Sequence, residues 1–147
     1  MTRIDFHFNV PDRLAYACRV VRKARAAGKR LVVWTADERR LSAFDQQLWT
    51  FSSLDFLPHV RVGSPLQAET PVLLTSAADS APASDVLLLL DDEVPPDYPS
   101  LFSRYERVID VVSNVDEERV AARQRFKLYR DAGLSPTAHD QAGASRS

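Results

Sequence analysis

Arg107-Val108-Ile109-Asp110-Val111-Val112, followed after Ser113-Asn114-Val115 by Asp116-Glu117-Glu118-Arg119-Val120-Ala121-Ala122-Arg123-Gln124-Arg125-Phe126-Lys127-Leu128-Tyr129-Arg130-Asp131, is the stretch that decides how this chain folds. The first run is rich in β-branched residues and reads as a strand. The second has helical periodicity. At 100° per residue, Arg119, Arg130, Arg123 and Lys127 fall within an arc of about 80°, with the ring of Phe126 at its border. Ala121, Ala122, Leu128 and Tyr129 occupy the opposite, mostly apolar side. Arg125 interrupts that side and needs a partner wherever it is covered. Asp116, Glu117 and Glu118 favour the positive end of the helix dipole, and Gly133 is a stop signal.

Outward from this unit, the beginning of the chain repeats the same alternation. Ile4 to Val10 reads as a strand. Pro11-Asp12 opens a helix with Leu14, Ala17, Cys18, Val21 and Ala24 at spacings of three and four, and Gly28 closes it. Leu31-Val32-Val33-Trp34 is a short continuous apolar strand of the kind buried on both faces in a parallel sheet. Thr35-Ala36-Asp37-Glu38 has the form of a capping box and opens a second helix with Leu41, Phe44 and Leu48 as its core stripe. Strands at Pro71 to Thr75 and Val86 to Leu90 follow, separated by the polar, Pro-broken loop Ser76 to Asp85. A short helical or turn connection, Leu101 to Tyr105, precedes the last strand. The pattern predicts a single α/β domain over residues 1–134: a mostly parallel open sheet with helices on both faces, Rossmann-like but without a nucleotide-binding loop. Residues 135–147 form a polar tail expected to be disordered.

A chain of 147 residues is long enough to bury a proper core, and its 45% hydrophobic and 27% charged content is that of a globular protein. It has neither an apolar run of membrane-spanning length nor the apolar core of a signal peptide near its start, so a cytoplasmic protein without membrane contact is expected. Cys18 is the only cysteine, which excludes an intrachain disulfide. The net charge of −1 argues against a direct nucleic-acid binder. That average hides an asymmetry: residues 62–103 contain no Lys or Arg, and the cations lie toward the two ends of the chain.

Three stretches stay open to a bland and a functional reading. The basic stripe is either a solvated face or an anion-binding patch with an aromatic border. Trp49, Phe51, Leu54, Phe56 and Leu57 either pack over the end of the sheet or form an exposed patch that another chain covers. Asp91-Asp92-Glu93 directly follows the most apolar strand, at the edge where open α/β sheets place ligands. It is a solvated turn or, in the alternative reading, the cluster of a Mg²⁺-dependent nucleotide-binding or phosphoryl-transfer enzyme. Against an enzyme, the chain has no glycine-rich phosphate loop and no Gly-x-Ser-x-Gly elbow, and His7, His59 and His139 lack metal-site or triad spacing. No catalytic residue, metal or cofactor is therefore expected.

The segment Arg123-Gln124-Arg125-Phe126-Lys127-Leu128-Tyr129-Arg130 with Ala132-Gly133 resembles the last-helix motif of the chi subunit of bacterial DNA polymerase III. Further pieces fall in the same order: Phe6-His7-Phe8, Gly28-Lys29-Arg30, Asp37-Glu38, Leu48-Trp49, Phe56-Leu57-Pro58-His59 and Val108 to Val112. The resemblance spans roughly residues 3 to 134. It implies a non-catalytic clamp-loader subunit in DNA replication, joining the psi subunit to the acidic, phenylalanine-terminated tail of single-stranded DNA-binding protein. It also implies roles for individual residues: Arg123 foremost for the tail, with Arg119, Phe126, Lys127, Arg130 and Val112 around it. Trp49, Phe56 and Leu57 match the surface for psi or for a competing helicase-related protein. Phe126 stands where other members of the family often carry tyrosine.

Overall fold

The computed structural model describes residues 2–51 and 56–142. Its strands are β1 (Arg3–Val10), β2 (Leu31–Trp34), β3 (His59–Arg61), β4 (Val72–Thr75), β5 (Ser84–Leu89), β6 (Tyr105–Ser113) and β7 (Pro136–Asp140). They form one seven-stranded sheet in the order β3-β4-β2-β5-β6-β1-β7. Every neighbouring pair is parallel, so the sheet is parallel throughout rather than mostly so. Parallel neighbours need crossover connections. The helices α1 (Arg13–Ala26), α2 (Glu38–Thr50), α3 (Tyr98–Phe102) and α4 (Asp116–Asp131) supply four of them, and loops with a single 3-10 turn, Gln67–Glu69 and Ala78–Ser80, lead into β4 and β5.

Strand alternation divides the core into two layers. Leu31, Val33, Leu88, Ile109 and Val111 point to the face covered by α1 and α2, where they meet Cys18, Val21, Leu41 and Phe44. Val32, Trp34, Leu87, Leu89 and Val108 point to the opposite face, where Leu101, Phe102, Ala122 and Tyr129 cover them. The helix ends follow the sequence signals in part. Asp12 caps α1 by accepting from the Ala15 amide, as its position suggests. For α2 the cap is Asp37, which accepts from the Arg39 and Arg40 amides; Thr35 is not the cap residue expected of it. The Thr35 hydroxyl instead donates to Asp91 across the strand end, a partner 56 residues away that no local pattern reveals. Gly133, at φ +86°, ends α4 in a Schellman motif: its amide donates to the Arg130 carbonyl and the Leu134 amide to that of Tyr129.

Both edge strands depart from the sequence reading. β3 is a three-residue strand beside β4, too short to carry an alternating pattern. Residues 136–140, placed in the disordered tail by composition, are β7, hydrogen-bonded in register along β1. An outer strand needs no apolar run, because it has little core to face, and an edge tolerates Pro136. Polar contacts hold it: His139 Nε2 lies 2.8 Å from Asp5 Oδ1, and Asn9 Nδ2 donates to Asp140 Oδ1 at 3.0 Å. Leu54, and the end of the tail from residue 143, lie outside the described residues.

Candidate functional site

Helix α4 is seated by its charged groups as much as by its apolar ones. Glu118 reaches back to accept from the Ser113 amide at 3.1 Å and meets Arg13 at 3.4 Å. Arg125, which sequence alone left in need of a partner, is 2% exposed. Its Nε and one terminal nitrogen donate to the two oxygens of Asp110 at 3.0 and 2.9 Å, and its other terminal nitrogen donates to the Asp92 carbonyl at 2.8 Å. Burial pushes the Asp110 carboxyl above its ordinary value while Arg125 opposes that rise. The covered face of α4 is therefore Ala122, Arg125 and Tyr129. Leu128 was expected on it but is 47% exposed. The bidentate ion pair turns the helix toward Arg125 and away from Leu128.

A groove of about 450 Å³ lies between α4 and the sheet. Arg119, Arg123, Phe126, Lys127, Arg130 and Val112, which the sequence reading singled out together, all line it. Phe6 and Phe8 of β1, Ala122 of α4 and Ala138 of β7 complete it. These four were missed. Phe6 and Phe8 alternate with His7, a signal that they share a face, but nothing in the sequence announces that a β7 residue closes the floor. Phe6 meets Phe126 edge to face with ring centroids 5.4 Å apart, which fixes the apolar bed.

The groove's electrostatics are one-sided, since no carboxylate among the described residues lines it. Arg119 reaches Asp116 only at 3.9 Å and Arg130 reaches Asp131 only at 3.8 Å, both long, exposed pairs that hold little energy. Arg123 and Lys127 pair with no carboxylate among the described residues and are exposed. An apolar bed under a row of cations, two of them loosely paired and two without a carboxylate partner among the described residues, accepts an anion that carries an apolar group.

The second candidate surface lies at the other end of the sheet. Trp49 and Phe56 are 51% and 72% exposed, with ring centroids 5.6 Å apart. Beneath Trp49, at 4.2 Å between ring centres, sits His59, 3% exposed and held by the Leu57 carbonyl at 2.7 Å and Asp45 Oδ1 at 2.8 Å. Leu57, read with them, is mostly buried: it is 7% exposed and packs in the core with Leu48, while its remaining edge lines a concavity beside Phe56. As chain entering β3, it turns inward while Phe56 turns outward.

The acidic run stands at the carboxyl edge, as read, but its leading carboxylate is occupied by the protein. Asp91 accepts from the Thr35 hydroxyl at 2.8 Å, the Ala36 amide at 2.7 Å and the Glu93 amide at 2.9 Å. Burial pushes its carboxyl up, and these hydrogen bonds together with Arg40 outweigh that push, so it ends below its ordinary value. Asp92 meets Arg13 at 3.0 Å. No grouping of three His, Cys, Asp or Glu residues suited to a metal occurs among the described residues.

Fold and groove together define an α/β protein of the open parallel-sheet class that carries a cation-rimmed apolar groove. Residues 1–137 match the family described as DNA polymerase III chi subunit, HolC, and the chain belongs to that family. It is 34% identical to the DNA polymerase III subunit chi of Pseudomonas aeruginosa over 138 residues, covering 90% of this chain and 92% of that one. It is 28% identical to the Escherichia coli subunit over 119 residues, covering 80% and 78%. Among solved structures, the C-terminal domain of the DEAD-box protein Dbp5 superposes with a TM-score of 0.69 at 10% identity, covering 99% of this chain and 93% of that chain, a likeness of fold alone. No described helix is long and apolar enough to cross a membrane.

Proposed function

We propose that this chi-family protein is a non-catalytic, cytoplasmic bridging subunit. Its α4 groove takes the acidic C-terminal tail of single-stranded DNA-binding protein, and its Trp49–Phe56 surface takes psi or a helicase-related partner. The observation that carries this reading is the convergence of Arg119, Arg123, Lys127 and Arg130 over the bed formed by Phe6, Phe126 and Val112. Cations meet the tail's aspartates and terminal carboxylate, and the bed receives its phenylalanine ring. In a tether, effective concentration makes up for modest affinity, so a micromolar contact of about 8 kcal/mol suffices. Trp49 and Phe56 have the exposed aromatic character of an interface anchor.

The test is fluorescence anisotropy of a labelled acidic peptide ending in Asp-Phe with a free carboxylate, titrated with the full chain at low and moderate salt. The expected result is saturable binding that salt weakens and that amidation of the terminus reduces. Equal affinity for the amidated peptide would remove the terminal-carboxylate role, and absence of binding at high micromolar protein would remove the tail assignment.

A further inference from the structure

A second groove lies on the opposite face of the sheet, between the exposed side of α1 and strands β6 and β1, and encloses about 460 Å³. Helix α1 covers the centre of the sheet but stops short of β1, so the face of β1 that carries His7 is left half open. The groove's floor includes Val86 and Ile109, side chains of the α1-side core. Its rim carries Arg19, Lys23, Lys29 and Arg107. Residues 13–30 contain seven Lys or Arg and no Asp or Glu.

The charges around this groove are not all alike. Asp85 accepts from the Arg30 amide at 2.8 Å, Glu106 meets Lys29 at 3.5 Å, and Arg107 donates to Asp5 at 2.9 Å. Arg19 and Lys23 are exposed and pair with no carboxylate among the described residues; Arg19 lies 5.5 Å from the Tyr16 ring centre. The end wall is a hydrogen-bonded pair, His7 Nδ1 and the Tyr16 hydroxyl, 2.5 Å apart. Burial first, then Arg107 and His139, push the imidazole down to about 4, so this wall adds no charge at neutral pH. The result is an aliphatic floor beside two unsatisfied cations one helical turn apart on α1.

We propose that this groove is a second docking site, for an internal acidic segment of a partner protein: one apolar side chain rests on Val86 and Ile109, and acidic residues on either side of it meet Arg19 and Lys23. Spacing at i and i+4 along a helix suits successive acidic side chains of an extended segment, where the α4 groove suits a chain end. A nucleic-acid strand, charged at every step, fits less well: the groove offers two unpaired cations, enough for two carboxylates, and Asp85 and Glu106 also line it. The site stands independently of the α4 reading.

The experiment is an amide-shift titration of the ¹⁵N-labelled full chain with an acetylated and amidated peptide of alternating aspartate and leucine, and in parallel with oligothymidylate. The expected result is saturable shifts along α1 and around Arg107 to Ile109 that persist in Arg123→Glu. In the Arg19→Glu/Lys23→Glu double variant, affinity falls at least tenfold while the thermal midpoint stays near that of the wild type, both side chains being exposed. The proposal is overturned by the absence of shifts at millimolar peptide, by shifts confined to α4, by unchanged affinity in the double variant, or by oligothymidylate displacing the peptide at the same amides. Because the blocked peptide has no terminal carboxylate, failure here and failure of tail binding at α4 are read separately.

Discussion

At the carboxyl edge of the sheet, Arg13, Arg40 and Arg125 each donate to at least two oxygens of the protein itself: Arg13 to the Val111 and Asp91 carbonyls, Arg40 to the Leu90 carbonyl and the Thr35 hydroxyl, Arg125 to Asp110 and the Asp92 carbonyl. Across α4, only a few side chains away, Arg123 and Lys127 have no carboxylate partner among the described residues. Both regions are rich in arginine. They differ in how much hydrogen-bonding capacity remains. The edge, which in sequence resembled an enzyme's cation site, has used its donors and acceptors to close the ends of β2, β5 and β6. The groove has left its donors for something outside the chain.

The sharpest way to break that contrast is to remove a saturated cation. Arg125→Ala leaves Asp110, which is 0% exposed, without its counter-ion, and should cost about 3–5 kcal/mol in urea unfolding. A loss below about 1 kcal/mol would mean that the pair does not seat α4. Asp91→Ala frees the Thr35 hydroxyl and the Ala36 and Glu93 amides and should cost about 1–3 kcal/mol. The same variant should bind the Asp-Phe peptide as the wild type does, and a weakened peptide would put the edge back into the binding site.

On the groove side the signs reverse. Arg123→Glu should lower affinity for that peptide at least tenfold, about 1.4 kcal/mol, while shifting stability by no more than about 0.5 kcal/mol. Full peptide affinity in this variant would identify the stripe as a solvated face.

The smallest effect concerns acid. His7 is held well below its ordinary value of 6.5, at about 4, by burial and by Arg107. The unfolded chain therefore takes up a proton at His7 before the folded one does. The stability tied to His7 is fully present above about pH 6.5 and is lost as pH falls toward 4. Unfolding midpoints measured across that window should fall less steeply in His7→Gln; equal slopes would assign the acid sensitivity to other groups.

How far the sequence could be read followed the kind of interaction involved. α4 was legible from Asp116 to Asp131 because caps, dipole charges and periodicity are local signals. The groove's cations were legible because helical spacing alone puts them on one side. β7 was not, since an edge strand has no apolar pattern to betray it, and with it went Ala138. Phe56 and Leu57 read alike in sequence for a related reason: adjacent residues in irregular chain can point opposite ways, and only packing tells the exposed Phe56 from the buried Leu57.

By itself, then, the amino-acid order determined the alternation of the central strands and helices and the one-sided charge of the last helix, which depend on neighbours within a few residues. Tertiary structure alone decided the rotation of α4 about the Arg125–Asp110 pair, the floor that Phe6, Phe8 and Ala138 give the groove, and the conversion of Asp91 from a candidate ligand into a strand-end brace. The physical reason is that a charge is either spent inside the fold or available to a partner according to what lies within about 3 Å of it, and such neighbours come from strands and helices far apart in the chain.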